Sequence, residues 1–425
     1  MLYCVKDLLK AAGYKKLQHQ FDEVPDSVLA PYSLSTRIGD FQFNDGTPTQ
    51  DTVRLLSAYH EFHTYVNATM HCVPIAVYSE LKESLSGLGL GKNKVGVFMQ
   101  GPDSNSLLVS ANPSVIYTLS WLDVAQGPLV IEIPPATIGS LLDATLSLVG
   151  DISHAGLSSG KGGKYLLVGP DWHGEYDETE YQAVFFSGSY GNCMVLRCFL
   201  SVNDAETIMQ NLAQRLKIYS LGELPRHATL FNLSGVKFSA LPAYDEKMFD
   251  QINSVIQNEH PQFISAHVTE LLDRVGIIKG KPFLRDMPKN QLLTEAAVVA
   301  FATVRTKLYY PEQQSRYLHR ERQWFTVASD GFQQATAYNH GSVNHAIAPY
   351  VLPIKNCKAN FGTQKLYELS CMSVKDSKGN LLHGSKRYRL QIPAAAKAEL
   401  FWQVTLYDTL HWSMLITDQA LPALV

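Results

Sequence analysis

Charge is scarce in this chain. Asp, Glu, Lys and Arg supply 18% of 425 residues, below the usual quarter, and the net charge is −3. No run of five or six like charges occurs, which excludes an acidic or basic tail. The near-neutral balance lacks the basic stripe that a polyanion binder carries, so nucleic acid is not an expected partner. Long apolar runs are missing as well. The longest, Ala296 to Val304, is less than half of the roughly 20 residues that a membrane helix needs. The opening residues Met1–Lys10 are no signal peptide, because Asp7 and Lys10 interrupt any apolar segment. A soluble, cytoplasmic protein without a membrane partner is expected. Asn67-Ala-Thr69 and Asn232-Leu-Ser234 fit the glycosylation pattern, and without an export signal they read as accidental.

Cysteine pairs are also absent. Cys4, Cys72, Cys193, Cys198, Cys357 and Cys371 contain no Cys-x-x-Cys, which excludes a zinc ribbon or a thioredoxin-like motif. Buried free thiols are expected; a Cys193–Cys198 bridge would require an oxidising compartment.

What is present is apolar and aromatic. Apolar residues at 46% suffice for a full core, and the length suggests two or three domains. Phe, Trp and Tyr make up 10%, and a charge-poor, aromatic-rich chain leans towards β-structure. Residues 1–35 read as a short helix and a loop. Thr47-Pro-Thr-Gln50 is a helix start, with Thr47 as cap and Pro48 in the first turn, and the apolar spacing from Val53 to Met70 predicts a helix over about 48–70.

From residue 95 the texture changes. Val95–Met99, Ser106–Val109, Val115–Leu122, Leu129–Ile133, Thr145–Val149, Lys164–Val168, Ala183–Phe186 and Cys193–Leu200 are short runs rich in β-branched and aromatic residues, punctuated by turn formers. Many short strands without alternating helices predict a sandwich or barrel and disfavour a βαβ sheet. Asn203-Asp-Ala-Glu206 reads as a capping box opening a helix to about 216. A helical block follows over 245–310, with Gly276 ending one helix and residues 296–304 apolar nearly all round. After 320 the strand texture returns in Tyr388–Ile392 and Phe401–Tyr407. The fold class expected is mainly β with helices, an α+β chain divided into 1–35, a β-sandwich domain 36–240, a helical connector 241–315 and a second β-sandwich domain 316–425.

The chemical motifs are thin. His60-Glu-Phe-His63 has histidines at i and i+3, where a zinc-protease helix needs i and i+4. With His71 these two are the weak candidates for a metal set; polar histidines on an amphipathic helix are the plainer reading. Gly160-Lys-Gly-Gly-Lys164 runs into Tyr165 and a strand, so it lacks the hydroxyl and the helix N-terminus of a phosphate loop and reads as a turn. Gly87–Lys92 fails likewise. Tyr338-Asn-His340 with Asn344-His345 reads as a polar loop. No Gly-x-Ser-x-Gly elbow is present, although Ser, His and acidic residues abound and a triad could assemble in space. No cofactor motif is found.

The aromatic strands supply the ligand-binding candidates: Tyr117, Trp121, Tyr388, Trp402 and Tyr407, with Asn112 and Lys386 as polar contributors. The competing reading places the aromatics in a core with their polar tips hydrogen-bonded.

The order of several segments resembles a known family. Thr36–Asp40 leads into Pro48–Asp51; then come Ala111–Tyr117, Gly127–Pro134 and Gly160–Tyr165, and near the end Gly384–Tyr388, Phe401–Asp408 and Ser413–Gln419. Over roughly 36–425 this set resembles the bacterial proteins that pair the domain of unknown function 1254 with the domain of unknown function 1214. The resemblance implies two jelly-roll-like antiparallel β-sandwiches joined by helices, and it carries no catalytic residues. Relatives are often exported and continue with further strands past the Thr417-Asp-Gln419 segment. The C-terminal sandwich here is therefore expected to lack edge strands. Ala394-Ala-Ala-Lys397 also departs from the family pattern, which has a second proline there.

Three functions compete. The first is a small-molecule-binding protein or enzyme with a pocket between the modules. The second is a structural protein that forms a symmetric homo-oligomer through its sandwich faces. The third is a metal-dependent enzyme built on histidines.

Overall fold

The computed structural model describes residues 31–152, 161–200, 202–311, 317, 323–326, 371–392, 402–419 and 422–424. The chain divides into two units, residues 1–63 and 64–425.

In the first unit β1 (Ser33–Thr36), β2 (Gly39–Asn44) and β3 (Thr47–Pro48) form an antiparallel sheet, and helix α1 begins at Gln50. Asp45 and Gly46 both take positive φ, 48° and 79°, which is the two-residue turn that Asp-Gly favours between antiparallel strands. Thr47 and Pro48 are thereby drawn into pairing with Asn44 and Phe43, and the hydroxyl of Thr49, not Thr47, accepts from the Thr52 N–H at the helix start. The helix start expected at Thr47 is thus moved by two residues, because hairpin pairing outcompetes the capping preference.

Helix α1 (Gln50–Gly87) runs well beyond residue 70. Its half in the second unit is apolar on most sides, with Ala68, Cys72, Val73, Ile75, Ala76 and Tyr78 all buried.

Within the second unit the strands follow as β4 (Val95–Val97), β5 (Ser106–Leu107), β6 (Val115–Asp123), β7 (Leu129–Ile133), β8 (Ile138–Asp143), β9 (Leu148–Asp151), β10 (Gly163–Val168), β11 (Ala183–Phe186) and β12 (Gly191–Phe199). Helix α2 (Ala205–Arg215), β13 (Lys217–Ser220), β14 (Leu230–Asn232) and β15 (Phe238–Ser239) come next. A six-stranded sheet has the order β14-β4-β6-β12-β8-β9, and a four-stranded sheet the order β11-β10-β7-β13. Alternate residues of both sheets enter one core: Ile116, Leu122, Met194 and Leu196 from the first, Leu129, Ile131, Tyr165 and Leu167 from the second. This is the period of two expected of strands with one face turned inward. On its other face the four-stranded sheet buries Val130, Leu166, Val168 and Tyr219 beneath Trp172, Tyr176 and Tyr181.

The sheet edges are covered. On one side residues 227–232 pass from the Leu216–Lys217 backbone to that of Val95–Val97, joining the edge of one sheet to the edge of the other. On the opposite side the Phe185 ring packs against Gly150, where a Cβ would lie 2.8 Å from the ring. Pairing is mostly antiparallel, but β10–β11, β4–β14 and β5–β15 are parallel, a departure from the antiparallel pattern implied by the family resemblance.

Three other local expectations change. Thr145–Val149 is not one strand: Asp143 Oδ1 accepts from the amides of Thr145 and Ser147, and Leu146 takes φ 55°, so a turn separates β8 from β9. The helix expected from Asn203 is capped by Asp204, whose carboxylate accepts from Thr207 N. Tyr388–Ile392 is exposed and carries no strand.

The helical block consists of α3 (Lys247–Asn258), α4 (Ala266–Val275) and α5 (Met287–Tyr309). Gly276 ends α4 at φ 92°, as its position predicts. α1 meets this block: Gln251 Nε2 donates to Glu80 Oε2 at 2.8 Å, and the His71 and His267 rings stand edge to face at 5.5 Å.

Further on, two-stranded pairs are formed by β16 (Phe325–Thr326) with β17 (Cys371–Met372) and by β18 (Val404–Thr405) with β19 (Ala423–Leu424). Most of the second predicted sandwich, and the Tyr338–His345 cluster within it, lies outside the described residues. The whole is an α+β fold. No helix among the described residues is long and apolar enough to cross a membrane.

Candidate functional site

The outward face of the two central strands carries the candidate site. β6 and β12 pair so that Trp121 faces Cys193, Leu119 faces Val195, and Tyr117 faces Arg197. Because Ile116, Leu122, Met194 and Leu196 point into the core, these intervening residues project to the other side.

At one end of this face stand three residues predicted from the sequence. The Tyr117 hydroxyl accepts from the Asn112 N–H at 3.2 Å, the Asn112 side chain accepts from Ser114 N at 2.8 Å, and the Tyr407 hydroxyl donates to Ala111 O at 2.8 Å. Burial pushes the Tyr407 phenol up, with Tyr117 contributing. Asn112, Tyr117 and Tyr407 are therefore brought together, but both phenols are committed to the backbone of 111–112. This is the bonded core arrangement of aromatic residues, and it ties the C-terminal segment to β6.

The other end is polar and converges on a glycine. Trp121 Nε1 donates to the Tyr78 hydroxyl of α1 at 2.7 Å. Glu259, which follows α3, accepts from Tyr190 N at 2.7 Å and from Gly191 N at 3.1 Å through Oε2. A Cβ on Gly191 would lie 1.9 Å from the Tyr78 hydroxyl, 2.6 Å from Glu259 Oε1 and 3.1 Å from Trp121 Nε1. Helix α1, β6, the start of β12 and the segment after α3 thus bring three polar side chains to one point. The Lys82 ammonium sits 4.4 Å from the centre of the Trp121 ring.

Burial raises the Glu259 carboxyl above the usual range, against the pull of the two backbone N–H groups and Lys82. Tyr78 is raised well above an ordinary phenol, first by burial and then by Glu259.

Next to this buried carboxyl, Tyr190 and His260 form a polar trio with Asp171. His260 Nδ1 accepts from Gln262 N at 3.2 Å, so the ring proton sits on Nε2, which faces Asp171 Oδ1 at 3.4 Å. The other Asp171 oxygen accepts from the Tyr190 hydroxyl, which holds that phenol up at about 12. Asp171 is well exposed, whereas His260 is largely covered. The arrangement can bind a polar ligand at its outer end, and the raised carboxyl at its inner end can hold a proton.

The remaining predicted residues are elsewhere. Tyr388 and Lys386 belong to an exposed turn in which the Tyr388 hydroxyl accepts from His383 N at 2.9 Å, and Trp402 is 44% exposed. His60 and His63 flank Tyr59 on the first half of α1, and His71 meets His267. Among the described residues no three His, Cys, Asp or Glu side chains gather as a metal set. Lys164 of the glycine-rich turn is taken up by Glu180 at 2.8 Å. Cys193 and Cys198 are free and buried on opposite faces of β12, five residues apart, so they do not face one another.

Of the convergent groups, the sequence reading found Trp121 alone. Glu259 and Tyr78 carry no local motif, and their roles arise only from tertiary packing.

A two-sheet α+β unit with a helical block and a C-terminal segment docked on it defines the class of protein. Residues 93–220 match the family described as "Protein of unknown function (DUF1254)", and residues 367–424 match "Protein of unknown function (DUF1214)". The chain therefore pairs the first of these domains with the second, in that order. The VPA0106 protein from Vibrio parahaemolyticus, known from a crystal structure, is similar in fold, at 16% identity and a TM-score of 0.50 over 84% of this chain and 82% of that one. No curated protein matches the chain.

Proposed function

We propose that the chain is a small-molecule-binding protein with acid–base capability, and that its site is the Glu259 end of the outward β6–β12 face. The observation that carries this reading is the convergence at Gly191: a buried carboxyl, a phenol and an indole N–H from three separate segments meet there, joined to a surface trio of Tyr190, Asp171 and His260. Buried titratable groups linked to a surface-accessible polar cluster are a recurrent mark of functional sites. The ligand expected is a small polar molecule that both donates to the Asp171 carboxylate and reaches towards Glu259. A ligand-observed NMR screen of polar fragments against the full chain tests this. Fragments that bind the wild type, are lost with His260→Ala and Glu259→Gln, and persist with the remote Leu284→Ala support it. A screen in which no binding depends on His260 or Glu259 overturns it.

A second reading, a symmetric assembly of copies of this chain, rests on apolar side chains exposed in the C-terminal segment, Leu410 at 70% and Ile416 at 85%. Sedimentation velocity of the full chain distinguishes a discrete oligomer from a monomer.

A further inference from the structure

A separate cluster on the C-terminal segment bears on reactivity. The Ser413 hydroxyl and His411 Nδ1 are 2.7 Å apart, and His411 Nε2 faces Asp408 Oδ2 at 3.8 Å. The other Asp408 oxygen is fixed by Leu410 N at 2.6 Å. Between histidine and serine stands Trp412 at φ 58°, a conformation that a bulky residue adopts only when its surroundings force it. Those surroundings are visible. Trp412 N donates to Asp408 O at 2.8 Å, Trp412 O accepts from Ser110 N at 2.8 Å, and the indole N–H donates to the Tyr309 hydroxyl. Arg305 Nη1 and the Tyr309 hydroxyl both donate to Thr409 O at 2.8 Å. Helix α5 and the 110–112 segment therefore hold a strained turn, and the turn brings the serine hydroxyl back onto the imidazole. Asp408 and His411 are each about one-third exposed, whereas Ser413 is buried.

We propose that Ser413, His411 and Asp408 form a nucleophile, base and orienting acid that react with small activated esters. Ser413 Oγ attacks the ester carbonyl carbon as its proton passes to His411 Nδ1. The C–O bond breaks, and the departing alkoxide takes that proton and leaves as the alcohol. Water, deprotonated by the same nitrogen, then attacks the acyl group, releasing the carboxylic acid and restoring Ser413. Ester and water give acid and alcohol. Asp408 Oδ2, 3.8 Å from His411 Nε2, supplies the negative charge that stabilises the imidazolium as it forms; the ring nitrogens are used in the reverse sense from the familiar serine protease triad. Catalytic contacts are often long in substrate-free enzymes and tighten in the complex. The proposal is independent of the Glu259 site.

A fluorophosphonate tests it on the full chain. Ser413 Oγ forms a bond to phosphorus and fluoride leaves, so intact mass reports one adduct and peptide mapping places it. The expected result is a single adduct on Ser413, absent in Ser413→Ala and formed at least about 100-fold more slowly in His411→Ala. Because Ser413 is buried, its variant could misfold. His411→Ala, whose side chain is partly exposed, is therefore the deciding variant, with circular dichroism and the melting curve confirming its fold. A folded wild type that takes no adduct, an adduct on another residue, or labelling of His411→Ala at the wild-type rate overturns the proposal.

Discussion

Replacing Gly191 with alanine places a methyl group where the Tyr78 hydroxyl now lies. The new carbon would stand 1.9 Å from that oxygen and 2.6 Å from Glu259 Oε1, both far inside van der Waals contact. Tyr78 has little room to yield, since it is 1% exposed and its hydroxyl takes the Trp121 N–H. Overpacking of this kind costs about 1–3 kcal/mol, and loss of the indole–hydroxyl bond adds roughly 1 kcal/mol, so the expected destabilisation is about 2–4 kcal/mol. Urea unfolding followed by tryptophan emission measures it, provided that circular dichroism gives a coincident transition. Two companions sharpen the result. Gly188→Ala, whose Cβ would meet nothing within 4 Å, should stay within about 0.5 kcal/mol of the wild type. Tyr78→Phe removes the clashing oxygen, so Gly191→Ala should cost less in that background, with a coupling of roughly 0.5–3 kcal/mol. A Gly191→Ala protein as stable as the wild type, or one not relieved by Tyr78→Phe, would refute the convergence on which the site rests.

Further outcomes follow from the same structure. Glu259 has a raised carboxyl in the folded state, so the folded protein holds the proton over a pH range in which the unfolded chain has released it. Its contribution to stability is full below the ordinary carboxylate range near pH ~4.3 and is lost as pH rises through the folded value. Glu259→Gln should therefore gain stability relative to the wild type between pH 4 and 7; a difference that is flat or falls with pH contradicts this. Glu132 behaves in the opposite sense. Its hydrogen bonds from Lys217 and Tyr219 outweigh burial and hold it low, so its contribution is present above the ordinary range and lost on acidification. Glu132→Gln should narrow the gap to the wild type as pH falls below about 4. Burial lifts the Cys72 and Cys193 thiols to about 12, and neither should be alkylated at pH 8 until the protein unfolds; peptide mapping after brief iodoacetamide treatment checks this. Tyr407→Phe, which loses the bond to Ala111 O, should cost about 0.5–1.5 kcal/mol in chemical unfolding, whereas the exposed Trp402→Ala should change stability by less than about 0.5 kcal/mol.

The legible part of this fold is the part governed by local chemistry. Residue-type texture marked β6, β7, β10, β11 and β12, because β-branched and aromatic runs between turn formers have few other uses, but it passed over β8. Gly276 marked the end of α4 in the same way, whereas the run 296–304, apolar nearly all round, buries Ala296, Ala297, Ala300, Phe301 and Val304 and leaves Val298 and Val299 exposed. The errors lie where tertiary pairing wins. Thr47-Pro48 has the chemistry of a helix start, but the Asp45-Gly46 turn pulls it into a hairpin. Thr145–Val149 has strand composition, yet one carboxylate, Asp143, gathers two amides and bends it.

The candidate site was legible only through Trp121. Tyr117 and Tyr407 were found because large aromatics in strands attract attention, and the structure gives them backbone partners, the competing reading weighed for them. Glu259 follows a helix end and looks like any surface acid. Nothing in its neighbours signals that its side chain turns inward to meet the Tyr190 and Gly191 amides, 69 and 68 residues away. Asp408, His411 and Ser413 are close in sequence but fit no known spacing, and only the left-handed Trp412 reveals how the turn folds them together.

The most direct test of the Glu259 site is a carbon-13 NMR titration of the full chain labelled at the glutamate side-chain carboxyls, with the Glu259 resonance assigned by its absence in Glu259→Gln. The account predicts a midpoint above the ordinary glutamate value of about 4.3. A midpoint at or below that value would make Glu259 a permanently charged structural staple held by two amides and Lys82, and would contradict the acid–base role assigned to it.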